Sequence, residues 1–172
     1  VDPERKRILG IDPGSRAAGY GVVTLDGERT SFVAAGVIRV RPDMPLALRL
    51  ERLYGGLMEV IALHRPTVSA VEEVFQAVNT RSALTLGHGR GALILAAVHG
   101  GLKVYEYSPT RVKQAVVGYG RAEKTQVQHM VSVLLNMPEH PAQDAADALA
   151  VAICHAHSSA GKNFLASCRR VG

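Results

Sequence analysis

The sequence predicts an α/β fold, a mixed five-stranded sheet with helices on both faces. Three observations predict it. Three short apolar runs separated by turn residues open the chain before any helical pattern begins. The fourth run, Thr67-Val68-Ser69-Ala70-Val71, is almost continuous in apolar or small residues, as a strand covered on both faces is. Stretches of helical periodicity join the later strands, so those strands are expected to run parallel to the first.

In chain order, residues 7–12 read as a strand closed by the turn Pro13-Gly14-Ser15. Residues 20–25 read as a second strand, and Asp26-Gly27 is a hairpin signal. Residues 31–40 read as a third, with Val33, Val37 and Ile38 as its apolar content. A proline-flanked loop then leads into a helix. Leu46, Leu50, Leu53, Leu57, Val60 and Ile61 recur at helical spacing as far as about Leu63, and Pro66 stops the pattern. After the fourth strand, residues 74–80 read as a loop and 81–99 as a helix rich in glycine and alanine. Residues 102–107 are the fifth strand, 109–117 a short helix and Gly118-Tyr119-Gly120 a flexible joint. Residues 123–136 are a helix, a loop bracketed by Pro138 and Pro141 follows, and the last helix runs from Ala142 to about Ala156. Residues 1–6 read as a charged extension, 7–157 as the folded domain and 158–172 as a disordered tail.

A chain of 172 residues suits one domain with a good core. Its 47% hydrophobic and 20% charged content is that of a folded protein. The longest apolar run, Ala92 to Val98, is far too short to span a bilayer, and the charged start lacks the apolar segment of a signal peptide. A cytoplasmic location without membrane attachment is expected. Cys154 and Cys168 make no disulfide framework, so both are expected as reduced thiols.

Four acids stand out. Asp12 and Glu72 each end an apolar strand, and Asp144 and Asp147 lie three apart in an alanine-rich helix. A carboxylate in a core segment is costly unless a cation compensates it. Asp12 and Glu72 end two neighbouring strands, and an i, i+3 pair projects from one helix face, so all four can converge if that helix packs across the strand ends. Mg²⁺ prefers oxygen ligands, and two such ions can activate water and neutralise phosphate oxygens in phosphodiester cleavage. Glu72 and Glu73 point to opposite faces, and physics alone leaves the choice between them open. The net charge is +5. Setting the four acids aside removes four negative charges, so the remainder is nine charges positive, a balance suited to a polyanion such as nucleic acid.

These residues resemble a known family. The strings Ile8-Leu9-Gly10-Ile11-Asp12-Pro13-Gly14-Ser15, Gly19-Tyr20-Gly21-Val22 and Val71-Glu72-Glu73-Val74-Phe75 are similar to the RuvC Holliday junction resolvases. So are residues 112–118, 123–130 and Asp144-Ala145-Ala146-Asp147-Ala148-Leu149-Ala150, all in collinear order across residues 7–157. The resemblance implies a ribonuclease H-like fold, a homodimer, two Mg²⁺ per site (with Mn²⁺ as a possible substitute) and paired symmetric nicks at a four-way DNA junction. It implies 5′-phosphate products and a branch-migration helicase complex as a partner. Carried over by motif, the metal ligands are Asp12, Glu72, Asp144 and Asp147, which favours Glu72 over Glu73. Lys113 and Lys124 match lysines near the scissile phosphate, where a point charge holds phosphate or stabilises developing negative charge. Phe75 matches a wedge or stacking platform at an unpaired base; without the resemblance it reads as a core aromatic.

The remaining candidates weigh less. Tyr119 is a weaker stacking candidate. Arg81, Arg90, Arg111 and Arg121 are candidate phosphate contacts, though each taken singly reads more readily as a solvated surface charge, and Lys162, Arg169 and Arg170 form a weak basic tail. Gly87-His88-Gly89-Arg90-Gly91 imitates a phosphate-binding loop but lies inside a helical pattern. Close backbone approach, within the fold or to a second subunit, explains it better, so this helix is expected at a two-fold dimer interface. Cys154, His155, His157 and Cys168 match no standard zinc spacing, and the histidines read as helix-terminal groups. Two other readings compete with the nuclease. An actin-like or sugar-kinase-like ATPase shares the strand-Asp-x-Gly start but needs a longer chain, and a non-catalytic junction binder has no use for four acids.

Overall fold

The computed structural model describes residues 6–41, 43–73 and 80–168, with side chains described as far as Ser159. The elements are β1 (Lys6–Asp12), β2 (Ala17–Asp26), β3 (Arg29–Arg39), α1 (Leu46–His64), β4 (Val68–Glu72), α2 (Thr80–His99), β5 (Lys103–Tyr107), α3 (Pro109–Val117), α4 (Lys124–Leu134) and α5 (Gln143–Cys168). Their order matches the sequence reading. The strands lie side by side as β3-β2-β1-β4-β5. β1, β2 and β3 form an antiparallel meander, while β4 runs parallel to β1 and β5 parallel to β4. β2 and β3 are longer than their apolar runs, because pairing from Ala17↔Arg39 to Asp26↔Arg29 carries residues of weak strand preference into the ladder.

Strand alternation divides the core into two layers. Ile8, Val23, Ala70 and Tyr107 pack with Val112 and Val116 of α3, Val127 and Val131 of α4, and Leu149 and Ile153 of α5. Leu9, Ile11, Val22 and Val71 pack on the other face with Leu53 and Leu57 of α1 and Leu93 and Ala97 of α2. Local chemistry sets the short helices. Ser108 caps α3, with Pro109 in its first turn and Gly118 (φ 94°) ending it. The Glu123 N–H donates to the Gln126 side chain at the start of α4 (2.8 Å).

α5 rests directly on backbone. A Cβ at Gly10 would lie 2.0 Å from the Ala148 carbonyl oxygen, and one at Gly19 would lie 1.9 Å from that of Asp144. At Gly21 it would meet the Leu149 side chain at 2.7 Å. Glycine in these strands is a requirement of close approach rather than of a turn. Since Gly19 pairs with Asp12, the first turn of α5 lies over the carboxyl end of β1. The helix also runs farther than its pattern suggests, to Cys168 rather than to about Ala156. Residues 157–168 hold one glycine and no proline, so nothing there stops propagation.

Candidate active site

Asp12 is in phase with Ile8 and Gly10, the β1 residues that face α5. Glu72 is in phase with Val68 and Ala70 on the same layer, whereas Val71 belongs to the opposite one. β1 and β4 are paired up to Ile11↔Val71, so Asp12 and Glu72 emerge side by side. Asp144 lies in the first turn of α5, directly over Gly19, and Asp147 follows it by three residues. The four acids therefore meet at the carboxyl ends of the two central strands, under the positive end of a helix dipole. The geometry puts Glu72 in this group, and Glu73 continues the alternation away from it.

The electrostatics confirm how crowded this group is. Burial pushes the Asp12 carboxyl up to about 8, and Glu72, Asp147 and Asp144 push in the same direction against Lys124. Burial and then Asp147 raise Glu72 to about 7, with Lys124 and Lys113 opposing. Asp147 is also raised, first by burial. The Lys124 Nζ stands 3.8 Å from Asp147 Oδ2 on a largely exposed side chain, a weak pair on its own. One exposed lysine contact does not compensate four acids. All-oxygen donors in an electron-rich, half-buried cleft fit a hard divalent cation. Among the described residues, no three of His, Cys, Asp or Glu are already closed into a ligand set, so the fit rests on donor chemistry and charge.

The other sequence candidates divide. Lys124 and Lys113 both pull the Glu72 and Asp147 carboxyls down against burial. Tyr119 and Arg121 are exposed in the α3–α4 connection, and Arg81 is exposed in the first turn of α2. Arg111 is already engaged: its Nη2 donates to Ser158 Oγ (3.2 Å) and its guanidinium lies 5.1 Å from the Tyr107 ring. Ser158 is fourteen residues beyond Asp144 on α5, about 20 Å along the axis. Arg90 pairs with Glu106. Phe75 lies outside the described residues. The histidines read as helix-terminal sit inside the longer α5 instead: His155 is buried with its Nδ1 2.8 Å from the Tyr107 hydroxyl, and His157 Nδ1 lies 3.2 Å from the Ala115 carbonyl. Cys154 is a free, buried thiol. The residues missed in the sequence are Gly10 and Gly19, which let α5 reach the acids. A glycine within a strand pattern was their signal.

The glycine-rich α2 divides in the same way. Gly89 packs against the Gly14 carbonyl oxygen and Leu53, whereas Gly87 and Gly91 face open space. Leu84, Leu95 and Val98 stand exposed in line with them, an apolar stripe at spacings of three and four. No helix among the described residues is long and apolar enough to cross a membrane.

The family model described as crossover junction endodeoxyribonuclease RuvC matches residues 8–155. The crossover junction endodeoxyribonuclease RuvC of Pelotomaculum thermopropionicum is 57% identical over 151 residues, covering 87% of this chain and 92% of that protein. The one from Geobacter metallireducens is 56% identical over 163 residues, covering 95% and 99%. Among solved structures, Thermus thermophilus RuvC in complex with Holliday junction substrate superposes with a TM-score of 0.86 at 36% identity, covering 91% of this chain and 96% of that one.

Proposed function

Since this chain belongs to the RuvC family of crossover junction endodeoxyribonucleases, we propose that it resolves Holliday junctions by cutting DNA at the four-acid cluster. The single observation that carries this reading is the convergence of Asp12, Glu72, Asp144 and Asp147, with Asp12 raised to about 8 by burial and its acidic neighbours. Such a cluster disfavours DNA until cations neutralise it, and with cations bound it favours a phosphate.

Asp12, Glu72, Asp144 and Asp147 would hold two Mg²⁺ ions, with Mn²⁺ as a substitute. Bound there, the ions supply activation of water and neutralisation of the phosphate oxygens. The protein groups orient the substrate. Lys124 and Lys113 are point charges beside the acids, suited to hold a non-bridging oxygen or the leaving oxygen. The first turn of α5 adds its dipole at the same spot. Attack in line with the departing 3′-oxygen leaves 5′-phosphate and 3′-hydroxyl ends. The nuclease unit spans residues 7–157. Two copies join through α2, whose exposed Leu84, Leu95 and Val98 flank open glycines, and give paired symmetric nicks at a two-fold substrate. Phe75 serves as a wedge at the junction centre, and Arg81, Arg111, Tyr119 and Arg121 serve as arm contacts. A branch-migration helicase complex is the expected partner, and the expected site of action is cytoplasmic.

The test is cleavage of a synthetic four-way junction beside linear duplex, with and without Mg²⁺. Paired nicks on the junction alone, dependent on the ion, are expected. Equal cutting of linear duplex, or cutting in excess chelator, overturns the reading.

A further inference from the structure

We propose that His129 and His140 form a second metal site, separate from the acid cluster, that takes a borderline divalent transition ion such as Zn²⁺ through two imidazoles. Neither residue has a part in the nuclease chemistry above. His129 projects from α4, and His140 from the loop that joins α4 to α5. That loop is held against α4 at several points. The Met137 N–H donates to the Ser132 carbonyl (2.9 Å), and Gln128 Nε2 donates to the Pro141 carbonyl (2.7 Å). The two rings stand with their centroids 5.7 Å apart at 67°. Two imidazoles sharing one ion at ordinary zinc–nitrogen distances in tetrahedral geometry have centroids about 5 Å apart, close to the spacing of this pair.

A buried hydroxyl orients the His140 ring. Ser132 is buried, 4% exposed, and its hydroxyl has one proton, donated to the Gln128 carbonyl (3.1 Å). Ser132 Oγ lies 2.8 Å from His140 Nδ1. When that proton stays on the Gln128 carbonyl, the oxygen is free to accept from His140 Nδ1–H. The neutral ring then carries its lone pair on Nε2, the arrangement in which a buried hydrogen-bond partner orients a metal-binding histidine. Both histidines are exposed, so an ion arrives from solvent and waters complete its shell. Imidazole donors suit Zn²⁺ and not Mg²⁺, so saturating Mg²⁺ fills the acid cluster and leaves this pair open. His140 lies four residues before Asp144, and His129 five after Lys124. A shared ion would fix the loop that leads into the catalytic end of α5.

The test uses the 172-residue chain without an affinity tag, titrated with Zn²⁺ by calorimetry in saturating Mg²⁺, with histidine ring nitrogens followed by NMR. One equivalent of Zn²⁺ is expected, with His140 Nε2 shifting and Nδ1 retaining its proton. His129→Ala and His140→Ala are each expected to lose that equivalent while cutting junctions with Mg²⁺ at the parent rate. Ser132→Ala is expected to weaken Zn²⁺ about ten- to hundred-fold. No Zn²⁺ bound under saturating Mg²⁺, unchanged stoichiometry in both histidine variants, or unchanged affinity in Ser132→Ala overturns the proposal.

Discussion

Asp12 carries a carboxyl raised from 3.8 to about 8, and the sign of that shift has a consequence for stability. Between those values the folded chain binds more protons than the unfolded chain, so stability falls as pH rises through this window. Without metal, the penalty is complete above about pH 8. Asp12→Asn removes it, so in chelator at pH 8 the variant should melt several degrees above the parent, a change of a few kcal/mol. Mg²⁺ should raise the melting temperature of the parent and leave that of the variant almost unchanged. Thermal melts at pH 5 and pH 8 check this; a variant that melts below the parent at pH 8 contradicts it. Glu72 and Glu73 provide a second contrast. Glu72→Gln is expected to cut the cleavage rate at least a hundred-fold, about 3 kcal/mol in the barrier, and Glu73→Gln less than about three-fold. Single-turnover rates on a junction decide it. The sequence places these two glutamates on opposite faces but cannot say which face α5 covers. That is set by α5 pressing on Gly10 and Gly19.

The seating of α5 governs the elements. Gly19→Ala drives a methyl into the Asp144 carbonyl, so the helix must lift where two of the acids sit. The expected cost is about 1–3 kcal/mol in stability, with a larger loss in cleavage than in junction binding. Gly55 in the middle of α1 has nothing within 4 Å of its added Cβ, so Gly55→Ala should stabilise the chain by up to about 1 kcal/mol. Urea titration of both variants reads the opposite signs directly. The ten elements and their order were legible from periodicity, proline and glycine. Their ends were not. Pairing lengthens β2 and β3, and α5 continues past its expected end because only a weak glycine interrupts it. The convergence of the acids was legible only as a condition, that a helix cross the strand ends. The resemblance, rather than physics, pointed to Lys113 and Lys124, since an isolated lysine reads as surface until its neighbours are known.

For the whole molecule, the proposed function sets a net charge of +5 around a cleft of four acids, so binding should depend on counterions and catalysis on added metal. Junction affinity should fall steeply between low and physiological salt; a flat salt profile contradicts a basic binding face. The α2 stripe makes the assembly testable too. Leu95→Glu puts a charge in the middle of an apolar line; if two copies join through α2 as proposed, the parent should sediment as a dimer and the variant as a monomer, with paired nicks giving way to isolated ones. The central claim is that Asp12 and its three acidic neighbours cut junction DNA through bound cations. The most direct measurement compares Asp12→Asn with the parent on one synthetic four-way junction in Mg²⁺, reading cleavage and binding together. Loss of cleavage by at least a thousand-fold with junction affinity within about three-fold of the parent is expected. Cleavage at the parent rate by a variant free of contaminating nuclease would contradict it.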